Sequence, residues 1–416
     1  MRKISLLIVF VLMFTACSGC ANITAENLMK GVTGTELAST LIGNQPQNSA
    51  NRTADIVDFS LGLFKKIYED ENTLISPLSI ISALAMTANG AEKNTLVQIE
   101  EVFGTDIDSL NEYLYTYQAD LPTSDKYKVS LANSIWFKDT ANLEIEEGFL
   151  QTNKDYYNAE VYKAPFDDST KKDINSWVNK KTDGQIKELL SEKLPENSVL
   201  YLINALSFDA EWQNIYQDTS ISEGKFTNKA GNKETVDFMD STEYSYIELP
   251  NAIGFSKPYA DNQYSFVALL PEKRLEVSDF INSLNGKLLM KALKKQSDET
   301  VYASIPKFTF EYSKELSEIL KQLGIKDVFD VDLADFSSMG SSDGNLFINR
   351  VIHKTKIEVN EKGTKAGAVT AVEMLCGAAA TQEEPKIIEL DRPFFFMIVD
   401  NKFHMPIFMG VLNDVK

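Results

Sequence analysis

Residues 198–208, SVLYLINALSF, are apolar on both faces that a strand presents: Leu200, Leu202, Leu206 and Phe208 on one, Val199, Tyr201, Ile203 and Ala205 on the other. A strand with one wet face alternates apolar with polar residues. One that is apolar on both faces belongs inside a sheet covered on both sides. The rest of the chain must therefore supply two covering layers. The early part reads as helices. Ala54–Tyr68 places Ile56, Phe59, Leu63 and Ile67 at helical spacing. ISPLSIISALAMTANG offers Ser76 as N-cap, Pro77 at the first helical position and Gly90 to close. That helix is apolar nearly all round, so it should be buried. DINSWVNKKTDGQIKELL predicts a helix, a turn at Asp183-Gly184 and a second short helix. VSLANSIWF alternates as a strand, and from Lys233 strands dominate: YSFVALLP, VYASIPKFTFEY, KTKIEVN, PFFFMIVD and PIFMGVL, interrupted by one helix, SKELSEILKQLG. Helices early and strands late predict an α+β fold with more than one sheet.

One segment does not fit a finished sheet. Between KTKIEVN and IIELDRPFFFMIV, both read as strands, runs EKGTKAGAVTAVEMLCGAAATQEEP, residues 361–385. It has strand-like composition, but its residues are too small to anchor a core. Between Lys365 and Lys386 its only charges are Glu373, Glu383 and Glu384.

The chain has 416 residues and a net charge of −19, spread without blocks of like sign. Such a surface repels nucleic acid and anionic lipid, so neither is expected as a partner. The N-terminus, MRK followed by the apolar run Ile4–Ala16 and CSGCA, reads as a signal peptide over residues 1–20. Export follows as an expectation. Cys17 and Cys20 stand where a lipoprotein box would place its acylated cysteine, the alternative being plain secretion. Residues 21–52 are expected to form a polar tether. Beyond the signal region only Cys376 remains, which leaves no disulfide for the mature fold.

The two histidines, His353 and His404, both lie in strand-like surroundings. There is no HExxH, Walker loop or GxGxxG. GSSDG, residues 340–344, matches GxSxG around Ser342, but a polar loop precedes it and a strand follows, which is not a nucleophile elbow. Neither a catalytic centre nor a cofactor site is expected.

Taken in order, ISPLSIISALAMTANGAEKNT, LANSIWF, INSWVNKKTDGQI, LINALSFDAEW, IPKFTFEYSKELSEILKQLGI, VIHKTKIEVNEKGTKAGAVTAV and DRPFFFMIVDNKFHMPIFMG resemble the signatures of the serpin family over residues 53–416. The resemblance implies a single domain of three β-sheets and about nine helices with an exposed reactive-centre loop, here 361–385. It implies a single-use inhibitor, monomeric, forming a covalent 1:1 complex with a serine protease and in some cases a cysteine protease. The alternative within the family is a non-inhibitory binding protein.

The loop's own chemistry can be checked against that expectation. Every second residue from Thr364 (Thr364, Ala366, Ala368, Thr370, Val372, Met374) is uncharged and none is Pro, while Lys365 and Glu373 fall on the other register. A strand entering the middle of a sheet buries alternate residues, so this register can be buried without stranding a charge. Glu361, Gly363, Thr364, Ala366, Ala368 and Thr370 form the hinge. Two positions depart from the family: Lys365 where an acid is common, and Gly367 where Ala or Ser is usual. Counting from the hinge glycine places the reactive bond at Gly377–Ala378, with Cys376–Gly377 as runner-up. The absence of Lys or Arg there disfavours trypsin-like targets and suits elastase- or subtilisin-like ones. By matching positions, Ser76, Ser79, Asn204 and His353 would form a polar cluster controlling sheet opening. Glu361 and Lys307 would pair where insertion begins, beside Trp212. Asp209-Ala210 departs from the family's usual Lys-Gly.

Overall fold

A computed structural model describes residues 23–35, 37, 49–119, 121, 124, 126–140, 142–195, 198–364 and 384–416. Among them stand three β-sheets of seven, six and four strands, a two-stranded ribbon and nine α-helices. The large sheet contains, in chain order, β1 (Glu26–Asn27), β2 (Tyr127–Lys138), β3 (Glu160–Ala164), β4 (Leu200–Glu211), β5 (Phe308–Glu315), β6 (Arg350–Val359) and β7 (Gly363–Thr364). Their spatial order is β1-β3-β2-β4-β7-β6-β5.

The doubly apolar strand lies where its composition requires. Leu200, Leu202, Leu206 and Phe208 of β4 point into the main core, formed with the second sheet and the helices behind it. Tyr201 and Ile203 point to the opposite side. There, with Trp136, Tyr162, Trp177 and Ile352, they form a second cluster beneath the helix Asp168–Lys181. The helix Pro77–Ala88 is buried along its whole length, capped by the Ser76 hydroxyl, which accepts from Ser79 N. Gly90 closes that region because a Cβ there would stand 2.4 Å from Met339 Cβ.

The centre of the large sheet is the feature that matters for function. In its lower half β4 and β6 pair directly and in parallel, Arg350 opposite Tyr201 and Ile352 opposite Ile203. In its upper half the two-residue β7 lies between them. It is antiparallel to both, with Thr364 opposite Ala210 on β4 and opposite Val359 on β6.

The structure corrects three expectations. Residues 23–35 are not a tether. Glu26 and Asn27 pair with β3, Leu28 N donates to Val161 O at 2.8 Å, and Met29 is buried. Asp173 accepts from Thr24 N, Thr24 Oγ1 and Ala25 N at 2.7–2.9 Å, and Asp155 accepts from Thr35. The segment is short of apolar residues because backbone amides and two acids hold it. The second short helix after Asp183-Gly184 does not form. Asn175 captures its backbone instead, accepting from Leu189 N and Leu190 N and donating to Leu190 O. Finally, IIELDRPFFFMIV is two strands in different sheets, Lys386–Glu389 and Phe394–Asp400, separated at Asp391-Arg392-Pro393. Pro cannot donate to a ladder, so it suits this corner.

Candidate functional site: the opening of the large sheet

The turn from β6 into β7 is built by Asn360, whose Oδ1 accepts from Lys362 N and Gly363 N. Gly363 is required by space: a Cβ there would lie 2.0 Å from Ala210 O. Around this turn stands an aromatic wall. Trp212 stacks on Tyr259 at 4.5 Å between ring centres. It donates from Nε1 to Asn360 O at 2.9 Å and from its backbone N to Lys362 O at 2.8 Å. Tyr216 N donates to Glu361 O at 2.9 Å, and the Tyr259 hydroxyl bonds Thr364 Oγ1 at 2.5 Å. On the outer side Glu361 and Lys307 pair at 2.9 Å, and the ammonium holds the carboxyl below its ordinary range. Both side chains are about one-third exposed, so the pair is screened and contributes well under 1 kcal/mol.

Beneath the wall lies a group that the sequence did not announce. Lys257 is 2% exposed, pairs with Glu243 at 2.8 Å and sits 4.4 Å from the Tyr216 ring centre and 5.4 Å from that of Trp212. A buried ammonium with a carboxylate and two aromatic faces is fully compensated, and it holds both rings in place. Its surroundings, GFSKPYAD, read only as strand with a polar interruption.

Lower down, the expected polar cluster forms in part. His353 Nε2 accepts from Ser76 N at 3.1 Å, and Ser76 Oγ accepts from Ser79 N at 3.3 Å. Complete burial lowers the pKa of His353 to about 3, so the ring is neutral and carries its proton on Nδ1. Asn204 does not join this chain of bonds. Its amide donates instead to Asn133 Oδ1 across the β2–β4 pair. Asn133 was missed because LANSIWF reads as an ordinary alternating strand. Its one polar signal is an amide at a core-facing position. The cluster is incomplete: among the described residues Ser79 Oγ, Asn204 Oδ1 and Asn133 Nδ2 are buried without a hydrogen-bond partner. Such atoms carry most of their desolvation cost.

Ser342 Oγ donates to Gly344 O in an exposed loop, and His353 is committed to Ser76. No triad assembles around Ser342. His404 sits in a turn with φ of 53°, half-buried and outside this site. Ala366, Ala368, Thr370, Cys376, Gly377 and Ala378 lie outside the described residues, as do Cys17 and Cys20.

Comparison with known proteins fits this architecture. The family model described as Serpin (serine protease inhibitor) matches residues 54–415. The leukocyte elastase inhibitor of Equus caballus is 30% identical over 370 residues, covering 85% of this chain and 96% of that one. A crystal structure of the thermophilic serpin tengpin in the native state is 46% identical and superposes with a TM-score of 0.87, covering 94% of this chain and 99% of that one. The latent state of tengpin, 47% identical, gives 0.78 over 90% of this chain and 99% of that one. The family match spans most of the chain, and the fold superposes on that of a solved serpin along nearly its whole length. The chain belongs to the serpins.

Proposed function

We propose that the protein is an irreversible, suicide-substrate inhibitor of exported serine endopeptidases with a small or apolar specificity pocket, of elastase or subtilisin type. The protease serine attacks the carbonyl carbon of Gly377. The bond to Ala378 breaks, the new amine leaves with a proton, and an ester joins the two proteins. The freed strand then enters the large sheet between β4 and β6 and carries the protease with it before water can cleave the ester. Runner-up for the cut is Cys376–Gly377. The reading includes a signal peptide over residues 1–20, export, and anchoring through Cys17 or Cys20, with plain secretion as the alternative.

One observation carries this reading. β7 already occupies the top of the gap, and below it β4 and β6 stand in the register that a continuing strand needs. Residue 364 faces both Ala210 and Val359. Nine residues further along each partner come Tyr201 and Arg350, which are already opposite each other. The two strands must separate but need not slide. Continuing the pairing puts Thr370 between Asn204 and His353, where a hydroxyl meets the unpartnered Asn204 Oδ1.

The test is incubation with subtilisin and with pancreatic elastase, followed by boiling in detergent and electrophoresis. A band at the summed mass is expected, with mass spectrometry of the released peptide beginning at Ala378. Quantitative loop cutting without any such band would refute the proposal. So would a melting temperature left unchanged by that cut.

A further inference from the structure

The large sheet ends in an unpaired strand. β5 is bonded to β6 on one side, and among the described residues no strand pairs with its other side. The direction of its backbone groups follows from its two ends. Leu316 N donates to Val351 O across the pair, whereas Lys307 N turns away from β6 and donates to Asp237 O. Antiparallel pairing alternates, so the even-numbered residues of β5 bond β6, and Thr309, Glu311 and Ser313 turn N–H and C=O to the open edge.

Along that edge runs an open groove of about 860 Å³, lined by Phe310, Glu311, Tyr312 and Ser313 and by two other segments, Asp70–Asn72 and Asn413–Asp414. Asn72 ties those two segments together. Its Oδ1 accepts from Asn413 N and Asp414 N at 2.7 and 2.9 Å, and its amide donates to Asp414 O at 2.7 Å. Two of the lining acids are engaged, Asp70 with Lys229 and Glu311 with Lys354 and Lys356. Glu71 and Asp414 are in no ion pair among the described residues, and Lys416, also in the lining, lies 3.7 Å from Glu234. The groove therefore holds two carboxylates open to a cation. Tyr312 adds a second, independent sign. It is 5% exposed, and among the described residues its hydroxyl has no hydrogen-bond partner. The neighbouring Thr73 hydroxyl is spent on Glu71 O at 2.9 Å. Burial, and then the charges of Glu71 and Glu69, raise the pKa of Tyr312, so it keeps its proton and can donate.

We propose that this edge is a docking site for an extended, basic peptide segment of another protein, which adds to the large sheet as one more strand. Its backbone bonds the free groups of Glu311 and Ser313, one of its carbonyls takes the Tyr312 hydroxyl, and its Lys or Arg side chains pair with Glu71 and Asp414. Main-chain bonds supply the affinity and the acids supply the choice of partner. A second copy of this chain fits poorly, because both copies carry the net charge of −19. The inference is independent of the inhibitory reading above, since it uses the outer edge of the sheet and not the gap between β4 and β6.

The test is fluorescence anisotropy of a labelled peptide of alternating Lys and Thr, blocked at both ends and titrated with the intact protein at roughly 25 mM salt. Saturable binding is expected, and none with Glu in place of Lys. Ser313→Pro removes one edge N–H without costing the fold a ladder bond, and should weaken binding roughly tenfold, as one lost hydrogen bond implies. Glu71→Lys should weaken it at least as much. Absence of binding, equal binding of the Glu peptide, or undiminished binding by Ser313→Pro would overturn the proposal, the last because charge alone would then hold the peptide. A dimer of the chain that the peptide disperses would assign the edge to a second copy and overturn it too. Should Ser313→Pro fail to fold, amide hydrogen exchange of the wild type decides: the peptide must slow exchange at Glu311 and Ser313, and unchanged rates there overturn the proposal.

Discussion

The upper and lower halves of the gap between β4 and β6 are built on opposite plans. Above, every group around the turn is bonded: Trp212 and Tyr216 hold the carbonyls of residues 360–362, Tyr259 holds Thr364, and Lys257 supports the rings from below. Below, the strands are paired, but among the described residues three buried polar atoms lack hydrogen-bond partners. The upper half is finished, and the lower half is closed but unsatisfied. On the proposed reading, the difference marks where an entering strand would gain free energy. A third strand entering the lower half would supply hydrogen-bonding groups to sites that now lack them, while the upper half needs no change.

The comparison can be broken most sharply at Thr364. This residue is buried between the two strands, and Thr364→Arg would force an unpaired charge into the main core. The detergent-stable complex should disappear, a loss of 100-fold or more on the order of what several kcal/mol implies, with the loop still cut as a substrate. Survival of the complex would mean that insertion does not begin here.

A second, smaller effect belongs to the lower half. His353 is neutral in the fold with its pKa lowered to about 3, whereas the unfolded chain protonates near 6.5. The unfolded state therefore binds more protons between those values. The contribution of His353 is fully present above pH 6.5 and is lost as pH falls toward 3, by no more than about 1.4 kcal/mol per pH unit. Protonation would also set a donor on Nε2 against Ser76 N–H. Intact wild type should lose melting temperature between pH 6 and pH 4 more steeply than His353→Gln does. Parallel curves would show that the cluster is not proton-sensitive.

The smallest effect is expected at Glu361→Gln. The ion pair with Lys307 is partly exposed, and the turn is held chiefly through backbone atoms. Chemical denaturation of the intact chain should shift by well under 1 kcal/mol. A larger loss would mean that the upper half depends on charge, contrary to the backbone-bonded plan described here.

How much of this was legible in the sequence depends on the kind of force involved. β4 and the buried helix Pro77–Ala88 were readable because apolar periodicity and the Ser76-Pro77 start are local signals. The turn that leads to the hinge was readable in part, from Gly363, while the alternating small residues after Thr364 lie outside the described residues. The Lys257–Glu243 pair was not, since a buried charge looks like a surface charge until its partner 14 residues away folds over it. Asn133 was hidden for the same reason, its partner Asn204 lying 71 residues away. The N-terminal segment failed differently: it is held by backbone amides reaching Asp173 and the edge of β3, and backbone groups leave no trace in composition. The missing second helix shows a single side chain, Asn175, outcompeting local propensity.

The shortness of β7 has a kinetic consequence. Two residues contribute little stability, but they constitute a nucleus. Joining distant segments costs chain entropy at the first contact, and each later contact costs far less. With Thr364 already paired on both sides and Gly363 on one, that first contact exists before any bond is cut. Strand growth can then proceed as propagation alone, one residue after another, with no search for a starting point. On the proposed reading, the race between strand growth and hydrolysis of the ester is therefore run with the slow step of assembly already complete.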